Sequence, residues 1–108
     1  MKEMNLAQLE TWIKLTPGTV FVYVYTSMCG TCKLAERMLN VIETMMPQLP
    51  LVKVNILEFA RVMEQRKIQS VPCLMTVRDG IVIDKRYAFH SVDYLYREIF
   101  QPSQHEMS

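Results

Sequence analysis

No stretch of about 18 consecutive apolar residues, the minimum for a helix that spans a bilayer, occurs in this chain. Its N-terminus, Met1-Lys2-Glu3-Met4-Asn5, also lacks the apolar centre of a signal peptide. A soluble, cytoplasmic protein with no membrane partner is the expectation. An excess of one charge is missing too: 12 Lys and Arg against 11 Asp and Glu leave a formal net charge of +1, with no long basic run. That balance offers no electrostatic footprint for nucleic acid. Cysteine is scarce. Three is an odd, low number and a poor disulfide framework, so staples do not hold this fold, and a reducing compartment suits it.

What remains is enough for one globular domain. The 108 residues are 50% apolar and 21% charged, a balance that supports a core without covalent help. No internal repeat or linker divides them. The domain is expected over 1–100, with 101–108, polar, aperiodic and containing Pro102, as a flexible C-terminal tail.

Asn5 with Gln8 reads as a helix N-cap and its capping-box partner, and Leu6, Leu9 and Ile13 recur at helical spacing until Thr16-Pro17-Gly18. The run Val20 to Thr26 is almost wholly β-branched or aromatic, as in a strand buried on both faces. Leu34, Ala35, Met38, Leu39, Ile42, Met45 and Met46 then trace an apolar helical stripe, with Pro47 as its stop. Met38, Met45, Met46 and Met63 are read as packing residues. Leu51 to Ile56 reads as a strand and Glu58 to Lys67 as a helix. Leu74 to Arg78 and Ile81 to Tyr87 flank Asp79-Gly80, the signature of a tight antiparallel hairpin, and Ser91 can cap a helix from Val92 to Phe100. Such an order predicts an α/β sandwich in three layers, a central mixed β-sheet flanked by helices.

Cys29-Gly30-Thr31-Cys32 lies at the junction between the first strong strand and the long helix. There the first sulfur meets unpaired backbone N–H groups and the positive end of the helix dipole, which favour thiolate over thiol. Two intervening residues bring a second thiol within disulfide reach. Cys29 is thus the expected nucleophile and Cys32 the resolving thiol. The same spacing is half of a zinc knuckle, but Cys73, His90 and His105 form no second close pair, and no metal site is expected. Cys73, opening an apolar strand, reads as a small buried hydrophobe.

Taken together, the Cys29–Cys32 motif, Val71-Pro72 and Asp79-Gly80, in that order along alternating elements, resemble the thioredoxin superfamily from about Asn5 to Phe100. By that resemblance, Pro72 is a cis-proline facing the sulfurs, Val71 pairs with substrate backbone, and Met28, Gly30, Thr31 and Ala88 border the substrate groove. The chain departs from the family at four places. Met28 and Thr31 stand for Trp and Pro around the cysteines, Arg37 replaces a helix-kinking proline, and Tyr23 takes the position of a buried aspartate. With that aspartate gone, Lys53 is expected to have no carboxylate opposite, leaving it to support a thiolate electrostatically or to extend to solvent. Neither Tyr23 nor Tyr25 is read as catalytic.

The resemblance implies a monomeric thiol–disulfide oxidoreductase that needs no cofactor. Its partners would be protein disulfide substrates and, as electron donor, an external reductase or a low-molecular-weight thiol. Two other readings stay open: a glutaredoxin-like thiol transferase working through Cys29 alone, and a non-enzymatic thioredoxin-like binding module that uses the Val71-Pro72 groove.

Overall fold

The computed structural model describes residues 1–59 and 70–101. Strand β2 (Thr19–Tyr25) runs through the centre of a five-stranded sheet ordered β1-β3-β2-β4-β5. It pairs in parallel with β3 (Leu51–Asn55) and antiparallel with β4 (Cys73–Arg78). β4 turns back into β5 (Ile81–Arg86) through Asp79 and Gly80, whose φ angles of 51° and 83° are both positive, as a type I′ hairpin turn requires. On the far side of β3 lies a strand absent from the sequence reading, β1 (Lys2–Glu3), in parallel register with Val52 and Lys53. Two residues are too few to show periodicity.

Alternation along β2 builds two cores. Val20, Val22 and Val24 face helix α1 (Leu6–Leu15), where Leu9, Met4 and the half-buried Trp12 cover them. Phe21 and Tyr23 point the other way, into a core closed by Ala35, Leu39 and Ile42 of α2 (Gly30–Met45) and by the last helix. α1 begins with both bonds of a capping box: Asn5 Oδ1 accepts from the Gln8 N–H at 2.8 Å, and the Asn5 N–H donates to Gln8 Oε1 at 2.9 Å.

Some expectations change. Residues 56–59 form a 3₁₀ turn, and the rest of the helix expected over Glu58 to Lys67, Met63 included, lies outside the described residues. The final helix is α only over Val92–Leu95 (α3), capped by Ser91 Oγ, and widens to a π turn over Tyr96–Phe100. That wider turn carries Phe100 to the buried side with Leu95 and Ile99, where its ring meets Phe21 edge-on at 4.8 Å. In α2, Met45 and Leu34 are exposed rather than packed, because Cys32, Ala35, Leu39 and Ile42, flanked by Met38, occupy the face toward the sheet. Of the expected tail, only Gln101 is described. No helix among the described residues is long and apolar enough to cross a membrane.

Candidate active site

Strand β2 ends at Tyr25, and four residues later Cys29 is the N-cap of α2, with extended backbone angles and its Sγ accepting a hydrogen bond from the Cys32 N–H at 3.3 Å. A thiolate satisfies an otherwise unpaired first-turn donor, as a capping oxygen would, and gains from the helix dipole. Cys29 is partly exposed and Cys32 is only 2% exposed; neither is in a disulfide. Their acidities diverge accordingly. The Cys32 side chain, then the Cys32 and Thr31 backbone, hold the Cys29 thiol below its ordinary value. Burial pushes Cys32 up, opposed first by a hydrogen bond to the Thr26 backbone and reinforced by Cys29, with Tyr23 pulling slightly down. One thiol is therefore poised to attack while its neighbour keeps its proton.

The groove beside the pair is a cavity of about 150 Å³ bordered by Thr31, Leu34, Met38, Pro72, Ala88 and Phe89. The Val71–Pro72 peptide bond is cis. Thr31, Pro72 and Ala88 are thus brought together, whereas Met28, Gly30 and Val71 do not line this cavity. Met28 stands 91% exposed on the loop before Cys29. Gly30 is exposed, with open space where a Cβ would sit. Val71 leans against the α1-side core. Met38 packs against the α2-side core, as read from sequence, and also lines the groove, while Leu34, read as a member of the same packing stripe, is a groove residue. Their signal was there: an apolar stripe wider than one sheet face can cover.

Lys53 does have a carboxylate. Its Nζ lies 2.6 Å from Glu36 Oε1, both side chains being half-buried. Glu36 stands one helical turn beyond Cys32, on the same side of α2, and Lys53 is the register partner of Tyr23 across the parallel β2–β3 pair. Spacing within the helix could have found this; the pairing of β2 with β3 could not be read locally. Between ion pair and thiol lies Tyr23, fully buried, whose hydroxyl donates to the Cys32 carbonyl oxygen at 2.7 Å. Tyr25, its ring stacked on Tyr23 with centroids 5.9 Å apart, bonds Glu3 through its hydroxyl and lies under the Lys53 ammonium. Burial comes first in lifting both phenols, Tyr25 to about 12.

Cys73 belongs to the opposite face of the sheet, in the α1-side core, where burial pushes its thiol up to about 11. Among the described residues, no group of three or more His, Cys, Asp or Glu side chains is placed to hold a metal ion.

A mixed sheet with α2 launched from its central strand, two thiols at the start of that helix, and a cis X-Pro bond beside them define a thioredoxin-fold protein with a dithiol site. The comparisons agree. The thioredoxin family model matches residues 1–99, and the chain belongs to the thioredoxin family. It is 36% identical over 103 residues to the thioredoxin-like protein YusE of Bacillus subtilis (strain 168), covering 95% of this chain and 94% of the relative. A thioredoxin of Chlamydia trachomatis is 26% identical over 85 residues, covering 79% and 83% of the two chains. Among solved structures, oxidised thioredoxin from Plasmodium falciparum superposes with a TM-score of 0.79 at 19% identity, over 95% of this chain and 98% of that one. Mitochondrial thioredoxin 3 from Saccharomyces cerevisiae gives 0.76 at 20%, over 94% of each.

Proposed function

We propose that this protein is a cytoplasmic disulfide reductase acting on protein substrates. The Cys29 thiolate attacks one sulfur of a substrate disulfide; that S–S bond breaks, and the first substrate sulfur leaves as a thiolate that takes up a proton. Cys32 then gives up its proton and attacks Cys29 Sγ, expelling the second substrate thiolate and leaving a Cys29–Cys32 disulfide. Two electrons pass from the dithiol to the substrate. An external reductase or a low-molecular-weight thiol returns them, and no bound cofactor enters the exchange.

The observation that carries this reading is the asymmetry of the pair: a partly exposed, acidified Cys29 held by the Cys32 N–H at 3.3 Å, above a buried Cys32. The cavity bounded by Thr31, Pro72 and Ala88 has room for about one apolar side chain of an extended substrate. Either a glutaredoxin-like transferase or a binding module would leave the ordered second thiol without a task.

A turnover assay with a protein disulfide tests the proposal, run once with thioredoxin reductase and once with glutathione and its reductase as electron source. Turnover that requires both cysteines, in either arm, is the expected result. Activity confined to glutathione mixed disulfides and retained by Cys32→Ser would establish the transferase instead. Stoichiometric binding without turnover in both arms would establish the binding module.

A further inference from the structure

The Tyr23 hydroxyl, which the sequence did not mark as catalytic, lies at the resolving cysteine. We propose that Tyr23 is the positioning residue of the resolving step, moving its hydrogen bond from the Cys32 carbonyl oxygen to the Cys32 sulfur as that sulfur becomes a thiolate. This rests on the two-step exchange above and goes beyond it in naming what stabilises the second thiolate.

The geometry supports the transfer in three ways. First, the hydroxyl donates to the Cys32 carbonyl at 2.7 Å inside the core, so it is already beside the residue it would serve. That carbonyl lies in the first turn of α2 and also faces the helical N–H four residues on, so losing the phenol does not orphan it. Second, only the O–H hydrogen has to turn, because the Tyr23 hydroxyl and the Cys32 side chain already interact. The ring is fixed by Tyr25 stacked at 5.9 Å and by Phe89 edge-on at 5.9 Å, on a strand flanked by β3 and β4. Third, Cys32 is too buried to recruit bulk water to a new charge, and an unsolvated thiolate without a donor is costly.

The charged and titratable groups around Tyr23 decide whether it gives or takes a proton. From α2 it is faced by Cys29, Cys32 and Glu36, all anionic when ionised; from β3 by Lys53, committed to Glu36; from its own strand by Tyr25, committed to Glu3. β4 opposes it with Leu74, and the loop before α3 with Phe89. Burial together with those negative neighbours keeps the phenol protonated, so it acts as a donor and never as the base. The Cys32 proton is taken up by the departing substrate thiolate, the phenol keeps its own, and the electron count of the disulfide exchange is unchanged.

An aromatic disulfide separates the two steps. With dithiobis(nitrobenzoate) in excess, attack by Cys29 releases one thionitrobenzoate and resolution by Cys32 releases the second, each visible in stopped flow. Tyr23→Phe, which keeps the ring contacts and removes only the hydroxyl, is expected to slow the second release several-fold at neutral pH and to move its pH profile upward, leaving the first release unchanged. A second-phase profile superimposable on wild type, or an equal slowing of both phases, overturns the role. If Tyr23→Phe does not fold, ¹³C-labelled tyrosine in the wild-type protein serves instead. The Tyr23 ζ-carbon resonance is expected to titrate with the Cys32 sulfur in a Cys29→Ser background, and a resonance that ignores that ionisation overturns the role equally. Wild-type protein that releases no second thionitrobenzoate would sink the reductase reading itself, a result distinct from either of these.

Discussion

Cys32 and Cys73 are both buried, on opposite faces of the same sheet, and they differ in nearly everything that governs thiol chemistry. Cys73 opens β4 among Val24, Val54 and Met75, where burial outweighs the Tyr87 hydroxyl and the Lys85 charge and lifts its thiol to about 11. Cys32 sits in the first turn of a helix, with a second thiol three residues back, the Thr26 backbone and a phenol hydroxyl at hand. Burial by itself makes a thiol inert. What makes Cys32 useful is its place at a helix start with a second thiol three residues back, which Cys73, for all its Tyr87 and Lys85 neighbours, lacks.

The sharpest way to break that comparison is to delete the sulfurs one at a time. Cys29→Ser is expected to reduce protein-disulfide turnover to the uncatalysed background, while Cys73→Ala leaves the rate unchanged. Cys32→Ser should still attack, accumulating substrates as disulfide-linked adducts recoverable by pulldown and released by reductant. Equal adduct yield from Cys29→Ser would reverse the assigned order of attack.

The two faces also differ in how plainly the sequence announced them. The strand beneath the α1 face was legible from the β-branched and aromatic run at Val20 to Thr26; the capping box at Asn5 and the turn at Asp79-Gly80 were legible for similarly local reasons. On the α2 face, Cys29 and Cys32 were readable because the chemistry resides in their spacing and in the strand-to-helix junction. The Glu36–Lys53 pair and the Tyr23 bond to Cys32 were not, since each joins elements that meet only once β2, β3 and α2 are assembled. Tyr23 in a run of β-formers is indistinguishable from Tyr at any buried strand position until its hydroxyl is seen to have an address.

Support for the site is the next comparison to test. Leu39 is fully buried on the sheet-facing side of α2, about two turns beyond Cys32 and three beyond Cys29. Leu39→Ala is expected to cost about 2–5 kcal/mol of unfolding free energy in urea, the range for truncating a buried leucine. Because it touches neither thiol, the order of alkylation, Cys29 first, should persist in the folded variant. A reordered labelling pattern would mean that α2 packing, not the helix start, sets the acidity of Cys29.

Cys73 and Cys29 carry opposite pH signatures. The folded pKa of Cys73 lies above its unfolded value, so its contribution to stability is complete below the free-thiol range of about 8.5 and disappears as pH climbs through about 11. Cys29 is depressed in the folded state, so its contribution is present above the unfolded thiol value and is lost as pH falls through the folded one. Reduced wild type should therefore lose stability more steeply than Cys73→Ala between about pH 8.5 and 11. Urea midpoints across that range read the difference directly, and the raised tyrosines, common to both proteins, cancel. Parallel curves would show that Cys73 is not desolvated as its position requires.

The smallest expected effect is optical. Trp12 is the only tryptophan, and it packs from α1 against the core on the Cys73 face, with the sheet between it and the start of α2. A disulfide quenches an indole efficiently only near contact, and the tryptophan that flanks the site in many thioredoxins is Met28 here. Emission of the fully oxidised protein should therefore match that of the reduced protein at equal concentration to within a small fraction. The comparison is informative because it asks whether anything at the Cys29 end is felt across the sheet. A several-fold change would require either that Trp12 approach the disulfide or that oxidation repack the α1 face, and in both cases the two faces would no longer be independent. An unchanged spectrum, alongside a redox-dependent response from Tyr23, would localise the consequences of oxidation to the α2 side.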